Sequence, residues 1–170
     1  EMSQISAQNK SSWSANDIYN LGVIYRKSSS TQVAANFWIV FLNGNYKDST
    51  GVQSQVIGVS LEQTTIVAVF KDVVKSSATS SNTSIAKYVE QSTLVHEMGH
   101  ALGLVNNGIP VASSHQDVAH GSHCSNTNCV MNWVNEGKAD MQQYMFQVLT
   151  TGNRVMFGQE CLDDAAQFKP

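Results

Sequence analysis

Residues 85 to 102 contain no proline, and within them His96-Glu97-Met98-Gly99-His100 sets two histidines four positions apart. On a helix with 3.6 residues per turn, positions i and i+4 come round to nearly the same angle, so both imidazoles face one point in space. One metal ion can take both. Glu97, beside His96, can then accept a proton from a water on that metal without being a ligand itself. The pattern constrains the fold: the segment has to be a helix with one face turned into a cleft, and the rest of the chain has to supply a third ligand. Ile85, Val89, Ser92 and His96 lie near one line along this helix, so its inward face runs into the metal-facing one. Gly99 costs a helix interior roughly 1 kcal/mol relative to alanine, which implies a neighbour packed too close for a side chain. Gly103 is the natural stop, since glycine accepts the left-handed conformation at a helix end. Two histidines on an ordinary helix are the competing reading of the five residues alone, and the residues downstream decide between them.

The remaining composition narrows the partners. At 170 residues and 18.5 kDa the chain is read as a single domain, 1–170, long enough to bury a core. A formal charge of −3 and a pI near 5.9 exclude a polycationic surface, and with it nucleic acid as the expected partner. The longest apolar runs, 37–42 and 66–70, are far short of a membrane span, so no transmembrane segment is expected. No signal peptide is visible, and a chain opening on Glu1 reads as a mature or trimmed fragment. Only 14% of residues are charged while Ser, Thr and Asn abound, as in residues 76–84, which favours an exported over a cytoplasmic setting. A monomer is the expected state. Three cysteines, an odd number, do not settle the redox compartment.

In chain order, residues 1–12 read as an extended arm. Ile18, Leu21 and Tyr25 mark an amphipathic helix with Ser12 or Ser14 as its cap. The apolar run 37–42, closed by Asn43-Gly44, reads as a central strand, and 45–55 as a polar loop. Runs 56–61 and 64–70, joined by a short connection, read as antiparallel neighbours. After Gly103 the segment 104–128 is non-periodic and carries His115, His120 and His123; long structureless loops in a compact domain usually have a function. Met141, Tyr144, Met145, Val148 and Leu149 mark a last helix.

The extended pattern His96-Glu97-x-x-His100-x-x-Gly103 resembles the metzincin superfamily of zinc peptidases, in which a third histidine follows the glycine by three residues. Here that position is Asn106, and a neutral amide is a poor zinc donor. A second stretch, His123-Cys124, four residues, then Cys129-Val130-Met131, resembles the archaemetzincins, with an insertion after Gly103 of the kind that leishmanolysin-like metzincins also carry. The resemblance implies His96, His100 and His123 as ligands, Glu97 as the catalytic base and Met131 as the methionine of the Met-turn under the metal. His120, Asp117 and His115 are chemically able to replace His123, and that choice stays open.

Several further expectations come with the resemblance. The fold class is α/β (α+β), a metzincin-like twisted mixed sheet with the active-site helix in an upper part, 1–103, and a small loop-rich lower part, 104–170, with one further helix. The strand that includes Val67, Ala68, Val69 and Phe70 is expected to be the antiparallel edge along which a peptide or protein substrate adds. Archaemetzincins resemble a case with a second, structural zinc on two thiolate pairs; Cys124 and Cys129 match the first pair, whereas Cys161 is alone and Asp164 stands where its partner would be. A structural zinc on Cys124, Cys129, Cys161 and Asp164 competes with a Cys124–Cys129 disulfide. The implied activity is zinc-dependent hydrolysis of peptide bonds, by an endopeptidase or aminopeptidase. A non-catalytic zinc-binding domain derived from a peptidase and a non-peptide zinc amidase are the alternatives.

Overall fold

The computed structural model describes residues 2–31, 33–78, 84–138, 140–141 and 156–167. Among them the chain is mixed α+β, with two small mixed sheets and four α-helices. Strand β1 (Ser12–Trp13) leads into helix α1 (Ala15–Tyr25), which begins with a reciprocal cap. The Ser14 hydroxyl accepts from the Asp17 N–H at 3.2 Å, and Asp17 accepts from the Ser14 N–H at 2.9 Å. Ile18 and Leu21 turn into the core as their spacing requires, and Gly22 allows Ile66 to approach; an added Cβ would lie 2.7 Å from its Cδ1.

The first sheet joins β1 in parallel to β3 (Asn45–Asp48), which forms a hairpin with β4 (Gly51–Gln53). The expected polar loop 45–55 is therefore partly a hairpin. Its turn is fastened by the Asp48 carboxylate, which accepts from the Thr50 amide and hydroxyl, a local arrangement that hydrophobic periodicity does not register.

The second sheet has the order β2 (Trp38–Leu42), β6 (Ile66–Phe70), β5 (Gly58–Ser60). Two expectations exchange places here. Val67, Ala68, Val69 and Phe70 belong to the central strand, parallel to β2 and antiparallel to β5, and all four are fully buried. The run 37–42 instead supplies an edge: β2 pairs only with β6 among the described residues, and Phe41 is 43% exposed. Both runs are apolar throughout, so their composition does not tell centre from edge. The antiparallel edge is β5. Ile57 and Leu61 make their hydrogen bonds into β6, so the intervening Gly58 and Ser60 turn peptide groups outward.

Helix α2 (Lys71–Ser76) follows β6 directly, and α3 (Ser84–Ala101) crosses the sheet, packing on β5 and β6 through Ile85, Val89 and Thr93. Gly103, at φ +88°, ends this helix, and Val105 and Asn106 continue in left-handed conformations. Beyond it come turns, the 3₁₀ segments Val118–His120 and Trp133–Asn135, and helix α4 (Gln159–Gln167). Of the expected last helix only Met141, fully buried, is among the described residues; 144, 145, 148 and 149 lie outside them. No helix among the described residues is long and apolar enough to cross a membrane.

Candidate metal centre

Helix α3 brings His96 and His100 to the same face, their Nε2 atoms 3.1 Å apart. The loop residue that meets them is His123, whose Nε2 lies 3.3 Å from that of His100. The other candidates go elsewhere. His120 is stacked on Trp133 with ring centres 4.3 Å apart and bonded to Asp117 at 2.7 Å, and His115 points into the cysteines. Asn106 is exposed and donates to Gln116.

The tautomers follow from the outer contacts. His96 Nδ1 is 2.7 Å from the carbonyl of Val130, and His123 Nδ1 is 2.5 Å from the carbonyl of His120, so each Nδ1 carries the proton and donates it. The Nε2 of His96 is left with a lone pair, and the Nε2 of His123, aimed at the same small volume, faces the Glu136 carboxylate. Three converging imidazole nitrogens fit a cation, and carbonyls that fix the rings from behind are the usual support of such a site. Burial pushes His96 and His100 well below the ordinary histidine range, and for His100 the neighbouring rings add to it. Both are therefore neutral and ready to ligate at neutral pH.

A fourth group, which the sequence reading missed, completes the cluster. Glu136 places Oε1 3.0 Å from His123 Nε2, and the ligand atoms of His96, His100, His123 and Glu136 all lie within 4.8 Å of one another. Burial opposes the ionisation of Glu136, but its hydrogen bond to His123 and the three imidazoles outweigh it and hold the carboxyl down. Burial pulls His123 down as well, yet Glu136 and the His120 carbonyl prevail and raise it. A carboxylate five residues beyond Met131 has no helical or strand periodicity to mark it, so spacing alone does not find it.

Glu97 is buried beside this cluster, and burial, followed by the nearby charge of Glu136, pushes its carboxyl up to about 8. The outward N–H of Ser60 on the edge strand β5 donates to it. Contact there is close: a Cβ at Gly58 would fall 2.6 Å from Thr93 Cγ2 and 2.9 Å from Glu97 Cγ. The edge strand and the helix thus position the carboxylate together.

Beneath the histidines, Met131 is fully buried, and its Sδ would be 2.2 Å from a Cβ at Gly99. This is the neighbour that glycine in the helix interior implied. The 124–131 turn is closed by the Cys124 N–H donating to the Met131 carbonyl at 2.8 Å, and the Asn135 amide donates to the Val130 carbonyl at 2.8 Å.

The cysteines form a second cluster a few residues away. All three are free and buried, in contrast to the expected Cys124–Cys129 disulfide alternative. Cys129 Sγ faces Cys161 Sγ at 3.5 Å and accepts N–H groups from Gly158 at 3.1 Å and Met131 at 3.4 Å. Hydrogen bonds from Cys124 and Cys161, with those amides, draw the Cys129 thiol down strongly, while its partners are pushed up. His115 Nδ1 lies 3.4 Å from Cys124 Sγ. Asp164 is not among the sulfurs: its carboxylate sits 3.0 and 3.1 Å from His115 Nε2 and accepts the Ala112 N–H at 2.6 Å. The imidazole therefore comes between Asp164 and the thiols, a position fixed by packing between the loop and α4.

No protein-family model, curated protein or solved structure matches the chain.

Proposed function

We propose that this chain is a metzincin-like, zinc-dependent peptidase, with His96, His100 and His123 as metal ligands and Glu97 as general base. The observation that carries the reading is the convergence of the Nε2 atoms of His96, His100 and His123 next to the buried Glu97. His96, His100 and His123 would hold the ion, which when bound would supply a water of pKa lowered towards roughly 7 and Lewis-acid polarisation of the scissile carbonyl. Glu97 would take the proton of the attacking water and return it to the leaving amine, a role that its buried position next to His96 suits. A cavity of about 560 Å³, bounded by Ser60, Leu61, Thr65, His100, Gly103 and Ile109, runs from the metal-facing helix along the β5 side. With β5 rather than β6 as the antiparallel edge, an extended peptide adds beside Gly58 and Ser60, and the site's specificity lies in that cavity.

A second metal ion is proposed at the cysteines, where His115, Cys124 and Cys161 form one group and Cys124, Cys129 and Glu160 an overlapping one, with Asp164 orienting the imidazole through Nε2.

One observation favours the non-catalytic reading, namely the Glu136 carboxylate at the remaining corner of the histidine cluster, since closed four-ligand zinc sites are structural. Hydrolysis separates the two. Wild-type protein should cleave casein or a peptide library, and Glu97→Gln should retain its zinc while losing about 10²–10⁴-fold in rate. Equal rates in two proteins that both hold zinc would leave the chain a binding domain.

A further inference from the structure

Three of the six separations among the four donor atoms of the histidine cluster match those of a tetrahedral shell, and all six are within 4.8 Å. Ligands about 2.0–2.1 Å from a tetrahedral zinc stand about 3.3 Å from one another. The separations here are 3.1 Å between His96 and His100, 3.3 Å between His100 and His123, and 3.0 Å between His123 and Glu136. Glu136 is held at this corner from both sides of the backbone. On one side, the 3₁₀ segment Trp133–Asn135 is pinned by Asn135, fully buried, whose amide donates to the same Val130 carbonyl that orients His96. On the other, Gly137 bridges Val56, and the Lys138 N–H donates to the Gln55 carbonyl. Only the side chain of Glu136 is free to move, and it is 55% exposed, whereas His96 and His123 are buried.

We propose that Glu136 is a displaceable fourth metal ligand: its carboxylate closes the metal centre in the resting protein, and swings into solvent when a carbonyl or other oxygen ligand takes the corner. The inference rests on the metal-centre part of the function proposed above. It reconciles the two readings of that centre, because the same four donors form a closed site at rest and a three-histidine site with an open corner when Glu136 leaves. Backbone tethers on either side return the carboxylate to the corner after each departure, so the capping is reversible and needs no movement of the chain.

The test compares wild type, Glu136→Ala and Glu136→Gln, each loaded with zinc or with cobalt(II) as a spectroscopic substitute. Chelator competition reads zinc affinity, and acetohydroxamate, an oxygen chelator of the open corner, reads accessibility. Expected are a loss of zinc affinity in both variants of at least the roughly tenfold that removing an outer partner of a ligand already causes, a gain of about tenfold or more in acetohydroxamate affinity, and cobalt absorption bands altered from the wild-type shell. Because the side chain is half-exposed, neither substitution disturbs packing, and Glu136→Gln keeps the shape while removing the anionic donor. Unchanged zinc affinity, hydroxamate affinity and cobalt spectrum in both variants would overturn the inference and leave the three-histidine site standing. A wild type that binds no zinc would overturn both. Glu136 effects as expected in a protein that cleaves no peptide would support the inference and sink the peptidase reading alone.

Discussion

The sheet region and the region beyond Gly103 are both buried, but they bury different things. Between Trp13 and Val89 the core is hydrocarbon: Ile18, Leu21, Val40, Leu42, Ile57, Val69, Phe70, Val73 and Val89 are all nearly inaccessible. Each such side chain contributes about 1.5–3 kcal/mol on leaving water and needs no partner of a particular chemistry. Beyond Gly103 the second core is small, and Cys124, Cys129, Cys161 and Met131 make up half of it. Around it the buried set is His115, His123, Asn132, Asn135 and Asp164. Polar groups out of water are costly unless bonded, so this region holds together only where its donors and acceptors are matched. The first region folds by area, the second by pairing, and in the proposed reading two zinc ions are part of that pairing.

Metal removal should separate the regions most sharply. A chelator strong enough to strip both proposed sites is expected to abolish hydrogen-exchange protection in 104–138 and 156–167 while β2, β6 and α1 keep theirs. Amide exchange followed by mass spectrometry reads both regions in one experiment. Equal loss of protection everywhere would show that the sheet core depends on metal as well, and the comparison would fail.

Next in size is Gly99→Ala, which sits where the regions meet. Alanine is the better helix former by roughly 1 kcal/mol, so on a free helix the change would stabilise. Here its Cβ would be 2.2 Å from Met131 Sδ and 3.0 Å from Phe157 Cε1. Overpacking of that kind costs about 1–3 kcal/mol, and Met131 is fully buried with little room to retreat. A lower melting temperature for Gly99→Ala is expected, with a much smaller further loss when the same change is made in a Met131→Ala background, which is itself destabilised by the cavity. A stabilised single variant would mean that the two cores meet loosely.

These two tests also mark how far the site could be read without coordinates. His96, Glu97, His100 and Gly103 were legible because helical geometry converts sequence spacing into direction. His123 and Met131 came only from the family resemblance of the His-Cys and Cys-x-Met stretch, with His120, Asp117 and His115 left in contention because loop spacing does not encode direction. Glu136 and the His115–cysteine contact depend on how a non-periodic loop returns to α3 and α4, and no local rule places them. The exchange of β2 and β6 has a similar origin: both are continuous apolar runs, and only pairing distinguishes a covered strand from an edge. Helix α4, with Cys161 and Asp164 on its buried side, has no apolar stripe to announce it, since one of its two buried residues is charged and Leu162 is exposed.

Within the second region, Asp164→Asn tests the role of the carboxylate behind His115. Loss of the carboxylate charge behind His115 Nε2 should lower metal affinity at the cysteine cluster by about 10–100-fold, measured by chelator competition, and leave the histidine cluster unchanged. If affinity at the cysteines is untouched, His115 is not a ligand there and that zinc falls back on thiolates alone.

The smallest expected effect lies in the first region and should be indifferent to metal. Asp17 is held down to about 2, from an ordinary 3.8, by its contact with Lys10 at 2.5 Å and by the Ser14 hydrogen bonds of the α1 cap. A carboxyl whose folded value is depressed binds fewer protons in the folded state, so its contribution is complete above 3.8 and disappears as pH falls through about 2. Asp17→Asn should therefore cost about 1 kcal/mol or less at pH 7, with part of the Lys10 contribution screened because that pair lies near the surface. The difference from wild type should vanish below pH 2. Denaturant unfolding of stripped protein at pH 7, 4 and below 2, with zinc-loaded protein compared at pH 7, where its ligands are deprotonated, gives the comparison directly. The same difference in both forms would show that the α1 cap stabilises the sheet region independently of metal; a difference that changed on stripping would mean that α1 senses the metal region through the intervening core.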